Sequence, residues 1–159
     1  MSQKSLSRWL KGIIAGMVIC GAIVYLYFIP VWGKEFTEIN EEYMSWYLPW
    51  LIVLLISAIP CYWVLYFGWK ISTEIGKDNS FSIENALYLK NIAILAALDS
   101  VYFFVVNLVF MVIGINHPGM FLISLIAVFV GIAITVAAAA LSHLVRKAAE
   151  IQKENEFTI

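Results

Sequence analysis

A chain of 159 residues that is 62% hydrophobic and 13% charged, with a mean hydropathy of +0.87, is too apolar for a water-soluble domain. A membrane is the solvent this composition implies. No direct nucleic-acid contact is expected; the formal net charge of −1 is itself uninformative, since the division of Lys and Arg across the bilayer is what matters, and both cysteines lie within apolar runs, which argues against a disulfide framework.

Bilayer hydrocarbon is about 30 Å thick, so at about 1.5 Å per residue a helical span needs roughly 20 apolar residues. The apolar runs here are continuous and lack two-residue alternation, which predicts helices and not barrel strands. Lys4, Arg8 and Lys11 precede the first run, at about 12–32. Its basic start suits a signal peptide, but the run exceeds an h-region of about 7 to 15 residues and no small-residue cleavage site follows, so it reads as a retained span. Ile19 before Cys20 also departs from a lipoprotein acceptor site. Tyr25, Tyr27 and Trp32 close the span, and Gly12, Gly16 and Cys20 form a stripe of small residues along it.

Residues 33–46 carry Glu35, Glu38, Glu41 and Glu42 against the single Lys34, a connection that reads as solvated charge or as an attraction for cations. The second span, 47–69, is bracketed by Trp46, Tyr47 and Trp50 at its start and by Tyr66 and Trp69 at its end. Pro60 within it removes a backbone donor in mid-helix and predicts a kink. In the polar loop 70–91, Phe81-Ser82-Ile83-Glu84-Asn85 predicts a helix start with Ser82 as N-cap. The third span, 92–115, contains Asp99, and Asn116-His117-Pro118-Gly119 forms a tight turn into the fourth, 120–144. Ala127, Gly131, Thr135 and Ala139 give that span its own small-residue stripe, which makes spans one and four candidates for close contact. The tail, 145–159, predicts a charged helix continuing span four, tipped by Phe157 and Ile159.

One ten-residue phrase occurs twice. EIGKDNSFSI begins at Glu74 and EIQKENEFTI at Glu150, so that Glu74, Lys77, Asn79, Phe81 and Ile83 recur as Glu150, Lys153, Asn155, Phe157 and Ile159. Each copy follows a pair of spans, which implies a tandem duplication of a two-span unit and puts both copies on one side of the membrane. Lys4, Arg8, Lys11, Lys70, Lys77, Lys90, Arg146, Lys147 and Lys153 fall on that same side and only Lys34 on the other. The positive-inside rule makes that side cytoplasmic, termini included. The ten repeated residues are therefore candidates for docking a partner at the inner face, or for clasping one another.

Asp99 is the one formal charge within a span. It carries an insertion penalty of at least about 2.5 kcal/mol and should face the bundle interior. With Phe103, Asn107 and Met111 it makes a stripe of four-residue spacing, and counting from the helix ends brings Cys20, Tyr62 and Thr135 to a similar depth. Asp99, Asn107, Tyr62 and Thr135 are thus the intramembrane polar candidates, for a hydrogen-bonded structural carboxyl or for an ion or proton path. His117 and His143 lie at opposite ends of span four, and no zinc spacing, nucleophile motif or phosphate-binding glycine loop appears, so no metal, cofactor or enzymatic activity is expected.

Four spans, the central F-S-I-E-N segment and the C-terminal E-x-Q-x-E-N-E-F-T-I phrase resemble an uncharacterised family of small bacterial integral membrane proteins, a domain of unknown function, over nearly the whole chain. Ser80 stands where members commonly have Pro. Genes of that family often neighbour one for a small Cro/CI-type helix-turn-helix regulator, so the resemblance implies a membrane partner for such a protein and supplies no catalytic residues. The expectation is an all-α, four-helix transmembrane bundle in a bacterial cytoplasmic membrane, in contact with lipid and open to homo-oligomerisation. It would be a sensor or tether that docks a small regulator, or alternatively a small transporter or channel subunit using Asp99 and Asn107.

Overall fold

The computed structural model describes residues 2–156 as four long apolar helical rods forming a bundle, with no strand among the described residues. The first rod is composite: α1, Gln3–Ile23, runs through a π-helical turn, Val24–Phe28, into α2, Ile29–Ile39. A 3-10 segment, Glu41–Trp46, leads into α3, Tyr47–Gly76; α4 spans Ile83–Val112 and α5 Pro118–Glu156. Each rod is long and apolar enough to cross a membrane.

The π turn has a local cause in Pro30. A proline lacks the N–H for the carbonyl four residues back and its ring crowds that carbonyl, and a wider turn relieves both. The Ile29 N–H accordingly reaches back five residues to Val24 O. Helix α2 then carries the backbone through residues 33–39, within the segment that its charge marks as solvated. Lys34 pairs with Glu38 one turn on at 3.6 Å, and Thr37 Oγ1 donates into the preceding turn, to Lys34 O at 2.9 Å. Helix α3 continues unbroken through Pro60.

Both sharp turns use one hydrogen-bond pattern. After α3, Asn79 N–H bonds to Glu74 O at 3.0 Å and Asp78 N–H to Ile75 O at 3.1 Å, with Asp78 left-handed at φ 62°. After α4, Ile115 N–H bonds to Phe110 O at 2.9 Å and Gly114 N–H to Met111 O at 3.3 Å, with Gly114 at φ 76°. These are Schellman closures, which satisfy the last carbonyls of a helix within a few residues. Ser82 caps α4 as the sequence predicts, its hydroxyl accepting from Asn85 N at 3.1 Å. Of residues 70–91, only 77–82 lie outside the helices.

The helices pack in chain order, α1 on α3, α3 on α4 and, most extensively, α4 on α5. No close backbone approach joins α1 to α5 among the described residues, which corrects the contact expected from the two small-residue stripes. Gly12 and Gly16 face open space, whereas a Cβ on Gly131 would overlap Ser100 Oγ of α4. Such a stripe shows that a face can be approached closely but not by which helix; here the short turn before α5 makes α4 its neighbour.

The interior is small and polar. Among the described residues the buried apolar ones are Val53, Leu89 and five alanines, while Phe129, Ile134 and other bulky side chains face outward. Polar side chains stitch the rods together: Ser7 Oγ donates to Ser72 O at 2.6 Å and Ser72 Oγ to Ser7 O at 2.9 Å, joining α1 to α3. Ser142 Oγ of α5 donates to Ala86 O of α4 at 2.7 Å. At the end holding the termini, Lys11 Nζ lies 5.3 Å from the centroid of Trp69 and Lys70 Nζ 5.4 Å from that of Tyr66, the arrangement of cations and aromatics found at headgroup level.

The packing order predicts unequal responses to enlarging the glycines. Gly131→Leu should destabilise the protein in detergent by about 1–3 kcal/mol through overpacking against α4. Gly16→Leu should leave the melting temperature unchanged, and the two variants are compared by thermal unfolding of the purified protein.

Candidate functional site

The first copy of the repeated phrase is a hydrogen-bonded turn at the end of the bundle that holds the termini. Glu74 Oε1 accepts from Lys77 Nζ at 2.7 Å and its Oε2 from Asn79 Nδ2 at 2.9 Å. The Glu74 carboxylate holds the Lys77 ammonium above its ordinary pKa through that hydrogen bond. Beneath them Asn85, only 1% exposed, donates through Nδ2 to Asn79 O at 3.1 Å and Ser80 O at 3.0 Å. Phe81 and Ile83 project from this frame, 58% and 42% exposed.

The second copy has a different shape. Helix α5 runs through Glu150, Lys153 and Asn155, and Glu150 accepts from Arg146 Nε at 3.0 Å; Phe157 and Ile159 lie outside the described residues. The copies diverge where Gln152 replaces Gly76, whose missing Cβ lets α3 approach α1: a Cβ there would stand 2.8 Å from Ser7 Oγ.

Within the bundle, Asp99 is half-buried and accepts through Oδ2 from Ser57 Oγ of α3 at 3.0 Å, while its buried Oδ1 has no partner among the described residues. Tyr25 Oη of the first rod lies 3.9 Å from Cys61 Sγ, one turn along α3 from Ser57. Tyr25 itself lies in the π turn. The other polar candidates lie elsewhere. Tyr62 Oη donates to Val18 O at 3.2 Å and Thr135 Oγ1 to Gly131 O in its own helix at 2.9 Å. Asn107 Nδ2 donates to Phe103 O at 2.8 Å, and Asn107 Oδ1 accepts from Asn116 Nδ2 at 3.2 Å, so this residue secures the turn before α5. Ser57 was legible as the residue one turn before Cys61 on α3, but spacing alone does not select it over Tyr62 as the partner of Asp99.

At the end away from the termini, α2, the 3-10 segment and the start of α3 border a half-open cavity of about 650 Å³ with the turn into α5. Its wall is aromatic, comprising Trp32, Phe36, Tyr43, Trp46, Tyr47 and Trp50, and three polar residues join it: Thr37, Asn116 and His117. Phe36 stacks on Tyr43 with centroids 5.8 Å apart, and Tyr43 meets Trp46 at 4.5 Å. Trp50 Nε1 donates to Ile115 O at 3.0 Å and Tyr47 Oη to Pro30 O at 3.2 Å, which fixes these rings. Trp32, Trp46, Tyr47 and Trp50 are visible in the sequence as belt residues, Phe36 and Tyr43 are not; that they curve around a space follows from the helicity of residues 33–39.

The family described as Protein of unknown function (DUF2975) matches residues 31–159. An uncharacterized membrane protein, YoaS of Bacillus subtilis (strain 168), is 33% identical over 151 residues, covering 92% of each chain. No solved structure matches.

The turn should separate frame from tip in its response to mutation. Asn85→Ala leaves Asn79 O and Ser80 O without their donor and should destabilise the protein by about 1–3 kcal/mol. Phe81→Ala removes an exposed side chain and should change thermal stability by less than about 0.5 kcal/mol, as measured by unfolding in detergent.

Proposed function

The chain belongs to DUF2975, a family of proteins of unknown function, and we propose that this membrane protein is a non-enzymatic sensor or tether whose cytoplasmic phrases dock a small transcriptional regulator. The observation that supports this reading is the exposure of Phe81 and Ile83 on a turn fixed by Glu74, Asn79, Ser82 and Asn85. Apolar side chains held on a pre-ordered polar frame lose little freedom when a partner covers them. Lys4, Arg8, Lys70, Lys77, Arg146 and Lys147 cluster at the same end, which supports reading it as the cytoplasmic one. The resemblance read from the sequence names the partner class, a small helix-turn-helix protein held at the membrane.

A photo-crosslinking side chain at position 81 should capture such a regulator in living cells. Phe81→Glu should weaken its binding to the purified membrane protein by about tenfold or more, since burying a Phe contributes roughly 1.5–3 kcal/mol. Crosslinks to lipid alone, or binding unaffected by Phe81→Glu, would reject docking. The topology is tested separately in a variant without Cys20 and Cys61. A cysteine at Ser80 should react with an impermeant reagent only from the cytoplasm and one at exposed Ser45 only from outside; the reverse pattern would place the turn on the wrong side for a regulator.

The unpartnered Oδ1 of Asp99 supports a second reading, a transporter or channel subunit built on Asp99 and Asn107. In that case, proteoliposomes should show a proton or cation flux that Asp99→Asn abolishes, and the absence of any Asp99-dependent flux would reject it.

A further inference from the structure

We infer that the joint between α1 and α3, at the end of the bundle that holds the termini, seats one phospholipid of net negative charge, with its phosphate between Lys11 and Lys70 and one acyl chain along α3. The inference uses neither the docking reading nor the assignment of this end to the cytoplasm.

The helical repeat brings the parts of the seat together. On α3, Tyr62 precedes Trp69, Ile59 precedes Tyr66 and Trp63 precedes Lys70, each by about two turns, so the pairs form three neighbouring rows on one side of the helix. On α1 the same interval separates Lys4 from Lys11 and Lys11 from Val18. The two helices meet along these rows. Tyr62 Oη donates to Val18 O at 3.2 Å, and two turns nearer the termini Lys11 Nζ stands 5.3 Å from the centroid of Trp69. In the adjoining rows Lys70 Nζ stands 5.4 Å from the centroid of Tyr66. Tyr66 is also part of the wall of an open groove of about 610 Å³, which continues through Trp63, Tyr62 and Ile59 to Ala58. One ring therefore joins an ammonium group to an apolar slot. From Lys70 to Ile59 the helix rises about 16 Å, close to the hydrocarbon depth of one leaflet, half of about 30 Å. A lipid whose phosphate meets Lys70 has a chain of the right length for that slot.

Charge selects the headgroup. Helix α1 contains no acidic residue and α3 only Glu74, whose two carboxylate oxygens accept from Lys77 and Asn79. Among the described residues no ion pair involves Lys4, Arg8, Lys11 or Lys70. The rings of Trp69 and Tyr66 orient the Lys11 and Lys70 ammonium groups without neutralising them. Two uncompensated positive charges at headgroup depth attract a lipid phosphate, and a headgroup with its own ammonium would bring a third cation to the same place. The seat thus favours a lipid whose phosphate is not balanced within its own headgroup.

The test reconstitutes the full chain in phosphatidylcholine vesicles that contain a small, varied fraction of a lipid brominated in mid-chain, either phosphatidylglycerol or phosphatidylcholine, and reads tryptophan quenching. Brominated phosphatidylglycerol should quench saturably and at about tenfold lower fraction than brominated phosphatidylcholine, the margin expected of two lysines at the membrane surface. Lys11→Gln with Lys70→Gln should reduce that preference to within about threefold, and Lys70→Gln alone gives the same direction should the pair fail to fold. Lys147→Gln with Lys153→Gln removes equal charge from α5 and should leave the preference intact. Trp63→Phe with Trp69→Phe should remove the preferential quenching, because those indoles border the seat. Excess water-soluble glycerol phosphate should not displace the brominated lipid. Equal quenching by the two lipids would overturn the proposal, as would an equal loss in the α5 pair, which marks diffuse surface charge. Preferential quenching that survives replacement of Trp63 and Trp69 would place the lipid elsewhere, and displacement by glycerol phosphate would leave a phosphate site without a chain; either result rejects the seat.

Discussion

Lipid cannot hydrogen-bond, and this constraint organises the molecule. A polar group inside the bilayer must find a protein partner or remain unpaired, and apolar side chains gain nothing by leaving lipid for one another. The structure accordingly turns bulky apolar residues outward and fills its contacts with alanine, glycine, serine and asparagine. The rods are joined by side-chain donors reaching backbone carbonyls or a carboxylate: Ser7 with Ser72, Tyr62 with Val18, Ser57 with Asp99, Ser142 with Ala86. Each contributes on the order of 1 kcal/mol in a membrane, but each also fixes one axial register, because sliding by a residue would strand the donor.

That register carries outward to both ends. The Ser7–Ser72 pair and the missing Cβ of Gly76 set how closely α3 ends against α1, and so where the turn bearing Phe81 begins. At the other end Asn107 and Asn116 bind the turn before α5 to α4, and Trp50 ties the same turn to α3 through Ile115 O. The exposed apolar tip and the aromatic cavity are therefore opposite ends of one stitched scaffold.

Features fixed by local chemistry were legible in the sequence. The apolar runs identified four rods, Ser82 with Asn85 identified the start of α4, and Asn116-His117-Pro118-Gly119 identified the sharp turn. The small-residue stripes were visible too, but Gly12 and Gly131 do not say which helix approaches them, and the pairing of α5 with α4 emerged only in three dimensions. The same limit applies to Asp99: depth counting points to Cys20, Tyr62 and Thr135, whereas rotation about α3 delivers Ser57. Charge in residues 33–46 marks a solvated segment, which a helix satisfies as well as an irregular connection does. With Lys34–Glu38 and Thr37 supporting a helix there, those residues build a wall.

The central claim, that polar and small contacts fix α1 against α3 and α5 against α4, is tested most directly by disulfide trapping in native membranes, in a background lacking Cys20 and Cys61. Ser7→Cys with Ser72→Cys should form an intramolecular crosslink rapidly on mild oxidation, and Gly16→Cys with Gly131→Cys should not. Efficient crosslinking of the Gly16 and Gly131 positions within one chain, with none between positions 7 and 72, would contradict the packing order and the stitched interior built on it.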